Sequence, residues 1–387
     1  MQKVITFLEK RNNQFVLIFL ITLFITIQKF FLGTTTNGIT AYNNYIIFKQ
    51  SFFHFFDSKD LYILYPSEHY DLFKYSPTFA IFMGVLAYLP DFIALFLWNF
   101  LNVFVLYYAL KKMPYTQKHS FLYVAVFILI EVFTTTQNSQ SNALLTGMII
   151  LGYLALQNKK AGLAALLIIG TAFIKLFGIV ALALFLFYPN KIKSALYVAF
   201  WTLVLGFIPL IFIPFGEFIM QYESWLLLLR NDHSSELKFS IMGFLHSWFQ
   251  VPIDWKTNAL IIGVIIFCIP LLRFKSYHIE RFRILFVSNI LMWVVLFNHM
   301  AESATFIIAV AGVGIWYFTK VEKSITEKGL LILCIFFTLL SPTDIYPVFI
   351  RNTYFIPYAV KVIPCIFIWI KINHELLTIS SKKPVIV

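Results

Sequence analysis

Long apolar segments recur along this chain, and they constrain its fold more than any other feature of the sequence. Segments 14–32 and 92–110 are each close to the roughly 20 residues that a helix needs to span a bilayer. Overall, 60% of the residues are hydrophobic and 12% are charged, whereas about a quarter of a soluble domain is charged. One soluble core cannot hide this excess of apolar side chains. The sequence therefore predicts an all-α polytopic membrane protein and excludes a soluble enzyme or a disordered chain.

The apolar segments predict about twelve membrane spans and place both termini in the cytoplasm. The predicted spans are 14–32, 92–110, 120–134, 142–157, 161–173, 177–188, 195–214, 257–272, 284–298, 304–318, 329–340 and 354–370. Neither a Gly/Ser linker nor a soluble segment separates them. We therefore expect a single polytopic domain over residues 1–387.

The net charge of +12 is explained by this topology. Of the 30 Lys and Arg residues, 20 fall in the predicted cytoplasmic segments, and 13 of the 18 acids are external or intramembrane. Cytoplasmic loops of membrane proteins carry an excess of Lys and Arg. The charge therefore indicates orientation in the cytoplasmic (plasma) membrane, and no nucleic-acid partner is expected.

This topology places both long loops, 33–91 and 215–256, on the external side of the membrane. Within the first, the apolar segment 77–89 is too short to cross and predicts an interfacial or re-entrant element. Segment 40–56 has the pattern of an amphipathic juxtamembrane helix lying in the interface. Long loops usually carry function, although their aromatic residues can equally act as interface anchors.

Lys175 interrupts segment 161–188, which is otherwise apolar up to Tyr188. Lysine pairs flank the segment on both sides, so both of its ends are expected to be cytoplasmic, with Lys175 near a turn. An intramembrane lysine is costly and indicates a functional site with an anionic partner, here a lipid-linked phosphate. The alternative is a lysine that snorkels to the interface.

Two further polar groups are candidates for ligand contacts. In loop 135–142, the amides of Gln140 and Asn142 suit sugar hydroxyls, and ordinary helix capping by Ser141 or Asn142 is the alternative. His299 and Glu302 can hold a phosphate or act as acid and base, or form a structural pair. Metalloprotease, dinucleotide-binding and P-loop motifs are absent from the sequence, and no metal site is predicted.

Four short motifs occur in an order that resembles glycosyltransferase family 87. They are Asp60-Leu61-Tyr62, Lys74 to Pro77 (KYSP), 139–145 (SQSNALL) and 173–178 (FIKLFG). The likeness extends over most of the chain. It implies a helical bundle of the GT-C fold with a large first external loop.

The resemblance implies transfer of a hexose, commonly mannose, from a polyprenyl-phosphate donor to a lipid or glycan acceptor at the outer face. Transfer would be inverting and metal-independent, without a cofactor, and an acid in the first loop would deprotonate the acceptor. The implied site residues are Asp60, Glu302, Asp57 and Asp71 for catalysis, Lys175, His299 and Lys74 for the donor phosphate, and Asn44, Tyr75, Gln140 and Asn142 for sugar and acceptor.

The sequence departs from the family pattern at the position where the acid usually follows the first span. Asn43 and Asn44 stand there, and an amide cannot act as a general base. Either another acid has taken over, with Asp60 or Glu302 favoured, or the acceptor differs, or activity is lost. A transporter or flippase for an amphipathic solute is the alternative function. It predicts a central site between two equivalent halves, whereas the enzyme predicts a lateral, lipid-sized groove beneath the first loop.

Overall fold

The computed structural model describes residues 11–33, 40–231 and 237–379. Over these residues the chain is helical and forms no extended strand, which confirms the all-α prediction. The predicted cytoplasmic termini, 1–10 and 380–387, lie outside the described residues, as do 34–39 and 232–236 in the two long loops.

The α-helices up to residue 231 are α1 (Arg11–Phe31), α2 (Asn43–Phe56), α3 (Pro77–Phe82), α4 (Gly84–Ala87), α5 (Asp91–Lys111), α6 (Ser120–Phe127), α7 (Leu129–Gln137), α8 (Asn142–Gln157), α9 (Ala161–Ile174), α10 (Lys191–Phe207) and α11 (Phe215–Asn231). The later α-helices are α12 (Ile241–Phe249), α13 (Lys256–Cys268), α14 (Glu280–Leu296), α15 (Phe306–Phe318), α16 (Ile325–Cys334), α17 (Val348–Ile350) and α18 (Ile363–Thr378). Tighter 3₁₀ turns cover Leu176–Phe187, Ile208–Ile211, Ile253–Trp255, Ile269–Leu272, Phe274–Ser276, Ser303–Thr305 and Val360–Val362. Wider π turns cover Ile335–Leu339 and Arg351–Phe355.

Four helical stretches in the described part of the chain are long and apolar enough to cross a membrane. They are Asn13–Phe31, Asp91–Lys111, Lys191–Ile211 and Ile253–Leu272. Two bent pairs, α6 with α7 at 44° and Val348–Phe355 with Val360–Thr378 at 78°, raise the number to six if each pair forms one span. Several other predicted spans are shorter apolar helices, so the count of twelve and the GT-C bundle stay predictions.

The chain divides into two compact units. The first contains Met1–Ala109, Phe133–Ile179 and Ile192–His233, and the second contains Leu110–Val132, Val180–Lys191 and Ser234–Val387. The prediction of one domain over the whole chain is not tested by this division.

The first unit is built around the first long loop and the helices next to it. Helix α2 buries one face, including Tyr45, Phe48 and Phe55, in an aromatic cluster that also contains Phe79 and Trp98. Ser76 caps α3 by accepting a hydrogen bond from the backbone N–H of Phe79, directly before Pro77. Helices therefore form in both of the segments 40–56 and 77–89, as α2, α3 and α4, and their placement beside the membrane stays a prediction.

Helices α5, α8 and α9 pack closely within the first unit because glycines lie at their contacts. A Cβ on Gly147 would come within 2.8 Å of the α5 backbone at Leu106, and one on Gly152 would come within 2.8 Å of Ile168 on α9. Small residues at such contacts let apolar helices approach without a side chain between them. Helix α8 is therefore held between its two neighbours.

The second long loop is more structured than the sequence indicated. Helices α11 and α12 form within 215–256, and α11 belongs to the first unit. Gln221 on α11 donates to the Lys59 carbonyl at 2.7 Å, and its own carbonyl accepts from the Leu61 N–H at 3.2 Å. Part of the second loop therefore packs on the first.

Candidate functional site

Lys175 stands at the break between two helical segments of the first unit. Helix α9 ends at Ile174, Lys175 is extended with φ −139° and ψ 121°, and a 3₁₀ turn begins at Leu176. The ammonium Nζ donates to Asn142 Oδ1 at 2.8 Å and lies 5.9 Å from the ring centroid of Tyr75. Three residues that the sequence singled out, Lys175, Asn142 and Tyr75, therefore lie together.

The amide loop, residues 138–142, is anchored on both sides. Asn142 Nδ2 donates to Gln140 Oε1 at 2.5 Å, which fixes the orientation of both amides. Asn44 Nδ2 donates to the Asn138 carbonyl at 2.8 Å, and the indole of Trp98 donates to the Ser139 carbonyl at 2.8 Å. Helices α2 and α5 thus hold the loop beside Lys175.

Buried hydroxyls in and beside the amide loop lack hydrogen-bond partners among the described residues. They belong to Thr135, Thr136, Ser139 and Ser141. Ser141 precedes α8 but its side chain makes no capping bond, so the capping alternative does not explain it. Buried polar atoms are nearly always satisfied, and unsatisfied ones call for a ligand or water. The cluster therefore offers donors and acceptors to a polar ligand.

The KYSP segment is docked against the end of α9 by backbone contacts. Ser76 Oγ donates to the Phe173 carbonyl at 2.6 Å. The Tyr75 carbonyl accepts from Tyr62 Oη at 2.9 Å, and the Lys74 carbonyl accepts from the Trp225 indole at 3.3 Å. These bonds bring the ring of Tyr75 and the backbone of Lys74 to the Lys175 side of the first loop.

Asp60 is the predicted acid that is tied to this segment. Its Oδ1 accepts from the Tyr62 N–H at 2.9 Å, and its Oδ2 accepts from Ser224 Oγ at 2.9 Å. Burial raises the pKa of Tyr62, whose hydroxyl bonds to Tyr75, so this phenol stays protonated. A carboxylate has about four lone-pair positions, so Asp60 retains acceptor capacity.

The other two acids predicted in the first loop are placed differently. Asp57 pairs with Lys59 at 3.1 Å, and its side chain is 57% exposed. Asp71 is exposed and accepts a hydrogen bond from the N–H of its neighbour Leu72 at 2.8 Å. Asp60 is linked to Lys175 through Tyr62, which bonds to both Asp60 and Tyr75, and through Tyr75, whose ring lies beside Lys175. Among the described residues, no such series of contacts links Asp57 or Asp71 to Lys175.

An apolar groove of about 710 Å³ runs through the first unit next to the lysine. Its lining includes Phe79, Met83, Trp98, Leu144, Met148 and Ile174. Ile174 directly precedes Lys175, and Leu144 follows Asn142 by two positions, so the lining includes chain neighbours of the polar site. Phe82 and Leu101, which also line it, are 52% and 43% exposed, so it is open to the surroundings. The volume lies within the roughly 300–1,000 Å³ of typical small-molecule pockets.

His299 and Glu302 belong to the second unit. Glu302 pairs with Lys238 at 2.8 Å and also caps the turn Ser303–Thr305, while the His299 carbonyl accepts from the Lys238 N–H at 3.0 Å. A cavity of about 400 Å³ is lined by Lys238, Glu302 and Ser303. Glu302 thus has a structural role in the second unit, as an ion-pair partner and as a cap, whether or not it also acts in catalysis.

Sequence reasoning missed a buried ion pair in the second unit. Lys361 Nζ lies 2.7 Å from Glu131 Oε1, and the two side chains are 2% and 0% exposed. Lys361 also donates to Ser303 Oγ at 2.9 Å. Glu131 lies inside predicted span 120–134, and a second charge inside predicted span 354–370 was the available signal for its partner.

One group of described residues has the composition of a metal site. The ligand atoms of His54, Glu68 and His69 lie within 4.8 Å of one another in the first loop. The sequence had predicted no metal site.

Taken together, the first unit has a site with a lysine, amides and buried hydroxyls, and an apolar groove lined by chain neighbours of that site, on a chain with helices suited to a membrane. The model of glycosyltransferase family 87 matches residues 73–297, more than half of the chain. The chain therefore belongs to glycosyltransferase family 87, which confirms the resemblance and indicates a membrane glycosyltransferase. The matched region contains Lys74, Tyr75, Gln140, Asn142 and Lys175. None of the curated proteins compared with the chain matches it significantly.

Proposed function

We propose that this protein transfers a hexose from a polyprenyl-phosphate donor to a lipid or glycan acceptor, and that the hexose is mannose. The observation that carries this proposal is the position of Lys175, which donates to Asn142 at 2.8 Å and directly follows Ile174, a residue that lines the groove. A lipid-phosphate donor needs an apolar channel that ends at a cation. The groove would hold the polyprenyl chain, and Lys175 would meet the phosphate.

The transfer proceeds by in-line attack of the acceptor hydroxyl on the anomeric carbon, with inversion. The bond from that carbon to the phosphate oxygen breaks, and its electron pair stays on the leaving lipid phosphate. Lys175 stabilises the charge that develops there, and a fixed cation in a water-poor site is effective at this task. No metal ion takes part in the step.

Asp60 is our choice for the general base that accepts the proton of the acceptor hydroxyl. Its two hydrogen bonds fix the carboxylate without using all of its acceptor positions. Glu302 is the second choice, and its pairing with Lys238 would have to be broken or shared during the reaction. Asn43 and Asn44 remain amides that hold backbone groups rather than bases.

The amide loop and its neighbours provide the sugar site. Gln140 and Asn142, with the unpartnered hydroxyls around them, match the donors and acceptors of a hexose. Asn44 and Tyr75 border this loop and complete the sugar and acceptor contacts. Lys74 and His299 are proposed as further contacts of the donor phosphate.

Transfer takes place at the outer face of the cytoplasmic membrane, with both termini in the cytoplasm and the long loops 33–91 and 215–256 outside. The excess of Lys and Arg in the predicted internal segments supports this orientation. The acceptor is then reached from the external side, where the first loop covers Lys175.

A flippase is the rival function, and a single assay separates the two. Purified protein in proteoliposomes is incubated with radiolabelled polyprenyl-phosphate-mannose and membrane lipid extract. The enzyme produces a labelled product with altered mobility and releases polyprenyl phosphate. A flippase changes only the leaflet in which the intact donor resides, and that result, with no labelled product, would overturn the proposal.

A further inference from the structure

Two histidines and a glutamate in the first loop converge without forming a well-directed hydrogen bond. His54 Nε2 and Glu68 Oε2 are 2.9 Å apart, yet both atoms are buried and lack a hydrogen-bond partner among the described residues. His69 Nδ1 is likewise buried without a partner there. A poorly directed His–Glu contact beside a buried imidazole nitrogen that has no partner is an arrangement that a shared ligand would satisfy.

We propose that His54, Glu68 and His69 bind one Zn²⁺ ion. Two imidazoles and a carboxylate form a ligand set that holds Zn²⁺ with a water molecule in the fourth position. The site is separate from the transfer chemistry, and it cross-links the end of α2 to the turn at 65–69.

The local structure prepares both imidazoles for a metal. The ring of Tyr65 lies 3.8 Å from the ring of His54, centroid to centroid, and limits its rotation. The ring of His69 is hydrogen-bonded to the backbone of Asp71, and its Nδ1 is buried without a hydrogen-bond partner among the described residues. Metal-binding histidines commonly use their second nitrogen for such an outer bond.

Access and fit are compatible with an incoming ion. The three ligand atoms lie within 4.8 Å of one another, whereas ligands around a tetrahedral Zn²⁺ lie roughly 3.4 Å apart. The side chain of Glu68 is 30% exposed, and Glu68 shares a surface turn with His69. A shift of this turn can bring the ligand atoms closer together around the ion, and the exposed side admits water. The nearby ammonium of Lys59 is paired with Asp57 at 3.1 Å, which offsets its repulsion of the ion.

The ion would order the part of the loop that carries Asp60. His54 and His69 flank residues 55–68, so one ion closes this segment into a ring. Closing a loop reduces the freedom of the unfolded chain, as a disulfide does. The expected consequence is stabilisation of the first loop.

The test uses the full-length protein in detergent and Zn²⁺ alone. The protein is stripped with a chelator, loaded with Zn²⁺, freed of excess metal and analysed for bound metal by mass spectrometry. Wild type should retain about one equivalent, and Glu68→Gln and His69→Gln should each bind at least about 100-fold more weakly. His278→Gln removes an exposed histidine outside the cluster and should bind as wild type does.

A second measurement guards against misfolding of a variant. Zn²⁺ should raise the melting temperature of stripped wild type and His278→Gln, but not that of Glu68→Gln. Co²⁺ bound in the same place should give the intense visible absorption of a tetrahedral ion. A wild-type protein that retains no metal, or a Glu68→Gln variant that binds and is stabilised like wild type, would overturn the proposal. Neither result bears on the transferase assay.

Discussion

Lys175 Nζ donates to Asn142 Oδ1 at 2.8 Å, and the same amide donates through Nδ2 to Gln140 Oε1. One side chain therefore joins the cation at the end of α9 to the loop that opens α8. The bond to Asn142 ties the ammonium to the residue that directly follows Ser141, one of the buried hydroxyls without a partner among the described residues. Asn142 is a neutral amide, so this contact positions the ammonium without adding a negative charge to it.

Replacing Asn142 by aspartate should weaken binding of a lipid-phosphate donor. Asn142→Asp puts an anion in contact with Lys175, cancels its charge and repels the phosphate. We expect KM for the donor to rise by at least about tenfold, equivalent to about 1.4 kcal/mol. Asn158→Asp, at the exposed far end of α8, is the control and should leave KM within a factor of about two. An unchanged KM in Asn142→Asp would separate Lys175 from the donor phosphate.

The four candidate acids can be ranked by amide substitution. Asp60→Asn should lower kcat by about 100-fold or more, the usual effect of losing a general base, because the amide keeps the size but not the basicity. Asp57→Asn and Asp71→Asn alter exposed side chains and should retain most activity. Steady-state kinetics with saturating donor give the comparison. If Glu302→Gln loses activity and Asp60→Asn does not, the base lies in the second unit.

Filling the groove should discriminate donors by chain length. Leu167 lines the groove on α9, so Leu167→Trp takes up space that a polyprenyl chain would occupy. We expect KM to rise about tenfold for a long-chain donor, since overpacking costs about 1–3 kcal/mol, and to change little for a short-chain analogue. Leu163→Trp, one turn earlier and 46% exposed, is the matched control. Equal effects of Leu167→Trp on both donors would argue against a chain in the groove.

The pair Lys361–Glu131 should matter for stability. Removing one partner of a buried ion pair leaves an uncompensated charge and costs about 3–5 kcal/mol. Glu131→Leu or Lys361→Met alone should therefore lower the melting temperature measured by size exclusion after heating. The double variant should recover much of the loss, because no charge is left unpaired. Asp344→Asn, which breaks a pair with a 93% exposed carboxylate, should change little. A double variant less stable than both singles would contradict this explanation.

The local features of the site were the ones that the sequence could predict. A lysine inside an apolar segment is costly wherever it lies, so Lys175 stood out without any structure. Its neighbours Asn142 and Tyr75 were named from chain patterns and family likeness, and they do lie beside it. Helix α2 was likewise predicted from its amphipathic pattern.

Contacts between distant segments could not be predicted in the same way. The sequence predicted a loop over 215–256 because charged residues interrupt the apolar pattern there. In the structure α11 forms within this segment, and the hydroxyl of its Ser224 donates a hydrogen bond to Asp60. Trp98 reads as an ordinary apolar residue of a span, and only the fold shows its bond to Ser139. For Glu302 the sequence left open a catalytic role or a structural pair with His299, and it did not indicate the contact with Lys238, which lies 64 residues away in the chain. Each of these three contacts joins residues that are far apart in the chain, and hydrophobic periodicity does not indicate which distant segments meet.

The most direct test of the central claim is transfer by Lys175→Met compared with Lys193→Met. Both lysines have an aromatic ring 5.9 Å away, but Lys175 directly follows the groove-lining residue Ile174, whereas Lys193 is exposed. Each variant is purified, checked for an unchanged size-exclusion profile and assayed in proteoliposomes with radiolabelled polyprenyl-phosphate-mannose. We expect the transfer rate of Lys175→Met to fall by about 100-fold or more, because one group that stabilises a developing oxyanion has been removed. Lys193→Met should transfer at the wild-type rate. Full activity in a folded Lys175→Met protein would contradict the assignment of Lys175 to the leaving phosphate.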